Sequence, residues 1–163
     1  MLTVIGFAFT IAPFVWLFAA YGTQFKNMNE IPLWFFWVEF FAYFIARMLD
    51  EMDGKQARRI GCCSSLGLIL DHGCDGFAMG FSTLTFLKLV QAGDSFWTLL
   101  TFVVSGWGFY VSTLEHFYVG SHFMGPGNMV SDGVVLVFVL YGSMGIWGND
   151  YWRDDLYKDF TYS

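Results

Sequence analysis

Long apolar stretches separated by short polar ones dominate this chain. No charged residue falls in Met1–Phe25, in Ser95–Leu114 or in Gly133–Asn149. Each run is close to the roughly 20 apolar residues that a helix needs to cross the hydrocarbon core of a bilayer. Two further stretches carry a little charge: Pro32–Ala46 holds Glu39, and a stretch from about Leu66 to Leu87 holds Asp71 and Asp75. The pattern predicts an all-α integral membrane protein, a bundle of about five transmembrane helices joined by short loops. Alternation of apolar and polar positions with period two is absent, which argues against a transmembrane β-barrel. The first run lacks a basic lead and is too long in its apolar part for a cleavable signal peptide. The expected division is a transmembrane domain over 1–149 and an acidic tail over 150–163.

Composition agrees with that reading. The 163 residues are 56% apolar, 21% aromatic and 13% charged, against about 25% charged in a soluble domain. Too little polar surface is present to cover a water-exposed globule of this size. A disordered chain, a disulfide-stapled secreted scaffold and a nucleic-acid binder are excluded on the same grounds. Cys62, Cys63 and Cys74 make no Cys-x-x-Cys pair and no zinc spacing with His72. They read as small packing residues in a reducing compartment.

Charge sign sets the orientation. Arg47, Lys55, Arg58 and Arg59 cluster between the second and third helices, while the neighbouring loops offer Lys26 and Lys88. The positive-inside rule puts the 47–62 segment in the cytosol. The N-terminus and the loop after the fourth helix, with His116 and His122, then share that side, and the tail lies opposite.

Nine of the 22 charged residues fall between Arg47 and Asp75. Asp50, Asp53 and Ala57 stand at i, i+3, i+7, one face at the cytosolic end of helix two. Gly67, Asp71 and Asp75 stand at i, i+4, i+8, one stripe of helix three. Carboxylates inside a membrane helix are costly and face a cavity, a partner or an ion. Four on two adjacent helices repel one another unless a cation neutralises them. Oxygen-only donors favour hard divalent ions, Mg²⁺, Mn²⁺ or Ca²⁺, over zinc. Two such ions suit a diphosphate, because they hold attacking and leaving oxygens together. Gly54 and Gly67 allow close approach of backbone or ligand, and Arg58 offers a forked donor for phosphate oxygens.

Written out, the segment is Asp50-x-x-Asp53-Gly54-x-x-Ala57-Arg58, eight residues, then Gly67-x-x-x-Asp71-x-x-x-Asp75. It resembles the signature of the CDP-alcohol phosphotransferases at every spacing. The wider string DGKQARR…LGLILDHGCD is similar to the choline/ethanolamine phosphotransferase branch, and LTVIG at 2–6 is similar to the start of its first spanning helix. The resemblance covers about the first 130 residues and is strongest from Asp50 to Asp75.

The resemblance implies transfer of phosphoethanolamine or phosphocholine from CDP-ethanolamine or CDP-choline to diacylglycerol, releasing CMP. It implies that Asp50, Asp53, Asp71 and Asp75 hold two metal ions, Mg²⁺ or Mn²⁺. It also implies that Gly54, Ala57, Arg58 and Gly67 line the nucleotide and phosphate pocket. A base must take the proton of the attacking hydroxyl, and His72 and Asp75 are the two candidates. A cation depresses the basicity of an aspartate that holds it, whereas a histidine titrates near neutral pH, so His72 is favoured. The family's catalytic bundle has at least six helices, so membrane lipids and a homodimer partner or other membrane subunits are expected to complete it. The alternative is a non-catalytic structural subunit of a larger membrane complex, derived from such an enzyme. Resemblance suggests the endoplasmic reticulum or Golgi; a complex subunit suggests the mitochondrial inner membrane instead.

Overall fold

Five α-helices form the described chain, and no strand occurs among the described residues: α1 (Leu2–Tyr21), α2 (Leu33–Ile60), α3 (Ser65–Leu89), α4 (Phe96–Val119) and α5 (Ser131–Thr161). The computed structural model describes residues 2–25, 31–60, 65–119 and 131–161. Side chains at 2, 57, 58, 60, 65, 66, 68, 116, 119, 131, 132 and 149–161 lie outside that description. So do Cys62, Cys63 and His122 altogether.

Local chemistry fixes the helix ends. Gly22 (φ 69°) follows α1 in the left-handed region that glycine enters without steric cost. Past the end of α3, Ala92 N–H donates to Leu87 O and Gln91 N–H to Lys88 O, both at 3.0 Å. That paired closure normally recruits glycine, yet Gln91 fills it at φ 54°. Ser95 caps α4, its Oγ accepting from Thr98 N–H at 3.4 Å. Within the helices Thr83, Thr85, Thr101, Thr113 and Ser143 donate their hydroxyls to backbone carbonyls of the preceding turn. Hydroxyls in apolar surroundings are satisfied in this way.

Helices α2 and α3 pack on α1, α5 packs on α2, and α4 packs on α3. Two polar contacts set the levels. The Thr3 backbone N–H donates to Asp53 Oδ2 at 3.0 Å, so the start of α1 is level with the late part of α2. Lys88 Nζ donates to Gly22 O at 2.6 Å and Gln24 O at 2.9 Å, so the end of α3 is level with the end of α1. Between Thr3 and Gly22 a helix rises roughly 28 Å, about one hydrocarbon thickness. The buried cluster of Leu17, Ile31, Phe35, Phe36, Leu89, Tyr141 and Met144 sits at the Lys88 end.

Outward and inward chemistry are inverted relative to a water-soluble protein. Trp97 is 71% exposed and Phe96 69% exposed, amid a belt of exposed Val, Leu, Trp and Phe, while Glu39 and Lys88 are 4% and 0% exposed. Contiguous apolar surface on this scale is stable in lipid and not in water.

The structure also adjusts the expected spans. Among the described residues, two helices are long and apolar enough by length and composition to cross a bilayer, over Thr3–Tyr21 and Phe96–Glu115. The apolar part of α5, Gly133–Gly148, is shorter, and α2 and α3 carry the carboxylates. With 28 residues, α2 is about 42 Å long and outruns a hydrocarbon core of about 30 Å. Its aspartates therefore lie near the end of its crossing. Lys88, expected as a loop charge, is fully buried instead. The carbonyls at the end of α1 replace its water, and the Phe18 ring lies 4.5 Å from Nζ.

Candidate active site at one end of the bundle

The antiparallel course of α2 and α3 determines which carboxylates meet. Asp50 and Asp53 lie late in α2, whereas Asp71 and Asp75 lie early in α3. Both helices pack on α1, so the two pairs come to the same end of the molecule. Asp75 lies within electrostatic reach of Asp50, Asp71 and Arg47. Asp71 in turn feels Asp50, Asp53 and His72. The four aspartates therefore form one acidic cluster, and its members are half-buried.

Two groups already engage this cluster. Arg47 Nη1 lies 3.2 Å from Asp50 Oδ2. The Thr3 hydroxyl and backbone N–H both donate to Asp53 Oδ2. His72, half-buried with a buried Nδ1, follows Asp71 directly and stands three residues before Asp75.

The donor set fits a hard divalent cation. It is all carboxylate oxygen; among the described side chains Arg47 is the arginine that faces it and the half-buried Cys74 thiol is the sulfur nearby. Among the described residues no three acidic, histidine or cysteine groups converge on one point at ligating distance. Like charges gathered this way repel one another.

Gly67 is exposed on the first turn of α3, and Gly54 is half-buried one residue past Asp53. The backbone of Ala57 and Arg58 continues α2; their side chains lie outside the described residues. Sequence reasoning missed Thr3 and gave Arg47 a topological role only. The i, i+3 spacing of Arg47 and Asp50 was a readable signal for the ion pair. Nothing local signals the Thr3 contact, which joins residues 50 positions apart.

The fold is thus a helix bundle with two pairs of aspartates gathered at one end. Residues 1–151 match the family described as CDP-alcohol phosphatidyltransferase. The chain is 32% identical over 157 residues to "Choline/ethanolaminephosphotransferase 1" of Arabidopsis thaliana, covering 96% of this chain and 39% of that protein. It is 32% identical over 131 residues to "Cholinephosphotransferase 1" of Bos taurus, covering 73% of this chain and 30% of that one. A Dictyostelium discoideum protein described as "Uncharacterized CDP-alcohol phosphatidyltransferase class-I family protein 2" is 32% identical over 124 residues, 76% of this chain and 30% of its own length.

The chain belongs to the CDP-alcohol phosphatidyltransferase family. That is a family of membrane-associated enzymes that generally use a divalent metal, and the chain is accordingly an all-α integral membrane protein. It spans about 30% to 39% of the length of these relatives.

Proposed function

We propose that this chain carries the catalytic site for moving phosphoethanolamine or phosphocholine from a CDP-alcohol to diacylglycerol, with release of CMP. The observation that carries the reading is the gathering of Asp50, Asp53, Asp71 and Asp75, from two helices, at one end of the bundle. In the reaction the acceptor hydroxyl oxygen bonds to the phosphorus that bears the alcohol. The bridge to CMP breaks, and CMP leaves with the bonding electrons.

Each residue has a task in this reading. Asp50, Asp53, Asp71 and Asp75 hold two Mg²⁺ or Mn²⁺ ions, which when bound supply positive charge against the diphosphate. Gly54, Ala57 and Gly67 let the nucleotide approach the backbone, and Arg58 pairs with phosphate oxygens. His72 takes the proton of the attacking hydroxyl, because an imidazole can accept a proton while the four aspartates hold the cations. Asp75 is the deepest carboxylate along α3 and the alternative acceptor. The level of the cluster suits both substrates: diacylglycerol stays in the bilayer and the CDP-alcohol stays in water, so they meet at the interface.

The reading assigns the chain to the endoplasmic reticulum or Golgi membrane. Membrane lipids, and a second copy or another membrane subunit, are the neighbours it gives the exposed apolar faces of α4 and α5. The test uses the full chain reconstituted in vesicles containing diacylglycerol and Mn²⁺. Labelled CDP-ethanolamine and CDP-choline are supplied in turn, and labelled lipid and free CMP are measured. One donor is expected to yield both products in equal amounts, with Asp71→Asn abolishing them. No transfer from either donor, in vesicles where the chain is folded, overturns the proposal.

A further inference from the structure

We infer that Thr3 is a positioning residue for Asp53: the first turn of α1 grips one oxygen of this carboxylate and holds the other for a cation. The inference rests on the cation-dependent reading of the aspartate cluster and adds a group from a third helix to it.

The geometry is specific to one oxygen. Thr3 directs its backbone N–H, at 3.0 Å, and its hydroxyl to the same Asp53 Oδ2. With Oδ2 committed twice, Oδ1 is the oxygen that Asp53 has to offer. The first N–H groups of a helix lack partners within the helix, and the positive end of its dipole favours a carboxylate there. A backbone N–H and a hydroxyl carry no net charge. They fix the carboxylate without neutralising it, whereas Arg47 brings a positive charge to Asp50.

A restraint is needed at this position. Asp53 lies within electrostatic reach of Asp71, and repulsion drives a mobile carboxylate outward into water. Holding Oδ2 against α1 opposes that drift. Thr3 reaches Asp53 because α1 and α2 approach closely one turn further along. A Cβ at Gly6 would lie 3.3 Å from Ala46 O and 3.5 Å from Leu49 Cβ. Gly6 therefore sets the separation at which the Thr3 side chain meets Asp53. Groups that orient metal-binding residues in this way typically change metal affinity about 10-fold to 100-fold when removed.

The test reads the cation itself. Mn²⁺ alone is titrated into the purified full chain and its binding followed by electron paramagnetic resonance, for the wild type, Thr3→Ser, Thr3→Val and Thr3→Ala. Thr3→Val keeps the shape and the backbone N–H, and Thr3→Ala removes the hydroxyl without adding bulk, so one of the two reports even if the other folds poorly. Both are expected to weaken Mn²⁺ binding by about 10-fold or more, while Thr3→Ser binds as the wild type does. In the transfer assay the Val and Ala chains then need more Mn²⁺ but recover their rate at saturation. Unchanged Mn²⁺ binding in folded Val and Ala chains overturns the inference and leaves the proposed reaction standing. A wild type that binds no Mn²⁺ overturns both. A wild type that binds Mn²⁺ without transferring phospho-alcohol removes the proposed reaction alone, and the Thr3 comparison still decides.

Discussion

At the scale of single residues, the acidic cluster divides its labour by neighbourhood. Asp50 has Arg47, Asp53 has Thr3, and Asp71 and Asp75 both face Asp50. His72 sits among them without belonging to the oxygen donor set. If it accepts the proton of the lipid hydroxyl, His72→Ala lowers turnover by about 10²–10⁴-fold while binding of the CDP-alcohol, measured by calorimetry, is unchanged. Near-normal CMP release from that variant moves the role to Asp75. The four aspartates were legible in the sequence because charge is costly in an apolar helix and their three- and four-residue spacings put each pair on one face. Thr3 was not legible. A threonine near the start of an apolar helix is ordinary, and only the packing of α1 on α2 gives it a partner.

Helices are the scale at which glycines decide. On α5 a Cβ at Gly145 would lie 3.0 Å from Trp37 Cε2, and one at Gly142 would lie 3.7 Å from Phe40 Cε2. The α2–α5 contact is thus an aromatic face against a glycine groove, with Phe138 joining the Phe40 and Tyr43 rings at 5.5 and 5.2 Å. Gly145→Val forces a branched side chain into the Trp37 ring. It is expected to cost about 2 kcal/mol of stability, seen as a lower unfolding temperature of the detergent-solubilised chain; no change would show that α5 is not held by this contact. The number of helices was legible because five apolar stretches are separated by polar ones. Their lengths were less so, since α2 and α5 continue as helix past the apolar positions that announced them. At Gly148 (φ 77°, ψ 174°) α5 departs from helical geometry and its direction changes. A single glycine is a weak signal for that.

For the whole molecule, neighbour order is the property that sequence periodicity did not carry. Five apolar helices can be arranged side by side in many ways. The observed order puts α1 between α2 and α3, with α5 and α4 outermost. It depends on contacts such as Lys88 with Gly22 and Gln24, which join positions 66 and 64 residues apart. A cation that binds the folded bundle and not the unfolded chain stabilises it as a whole. Mn²⁺ at a hundredfold excess over its dissociation constant should add about 2.7 kcal/mol, reversed by EDTA and reduced in Asp71→Asn. An unfolding temperature indifferent to Mn²⁺ in the wild type would contradict the cation site.

Lys88 has a mechanical consequence. It fastens α1 to α3 at the surface far from the aspartates, with the tightest apolar packing beside it. The aspartate end has half-buried acids where the other end has a sealed core. Regions with few buried apolar contacts open at the lowest free energy. The bundle is built like a clothes peg, pinned at the Lys88 end and with fewer buried apolar contacts at the aspartate end.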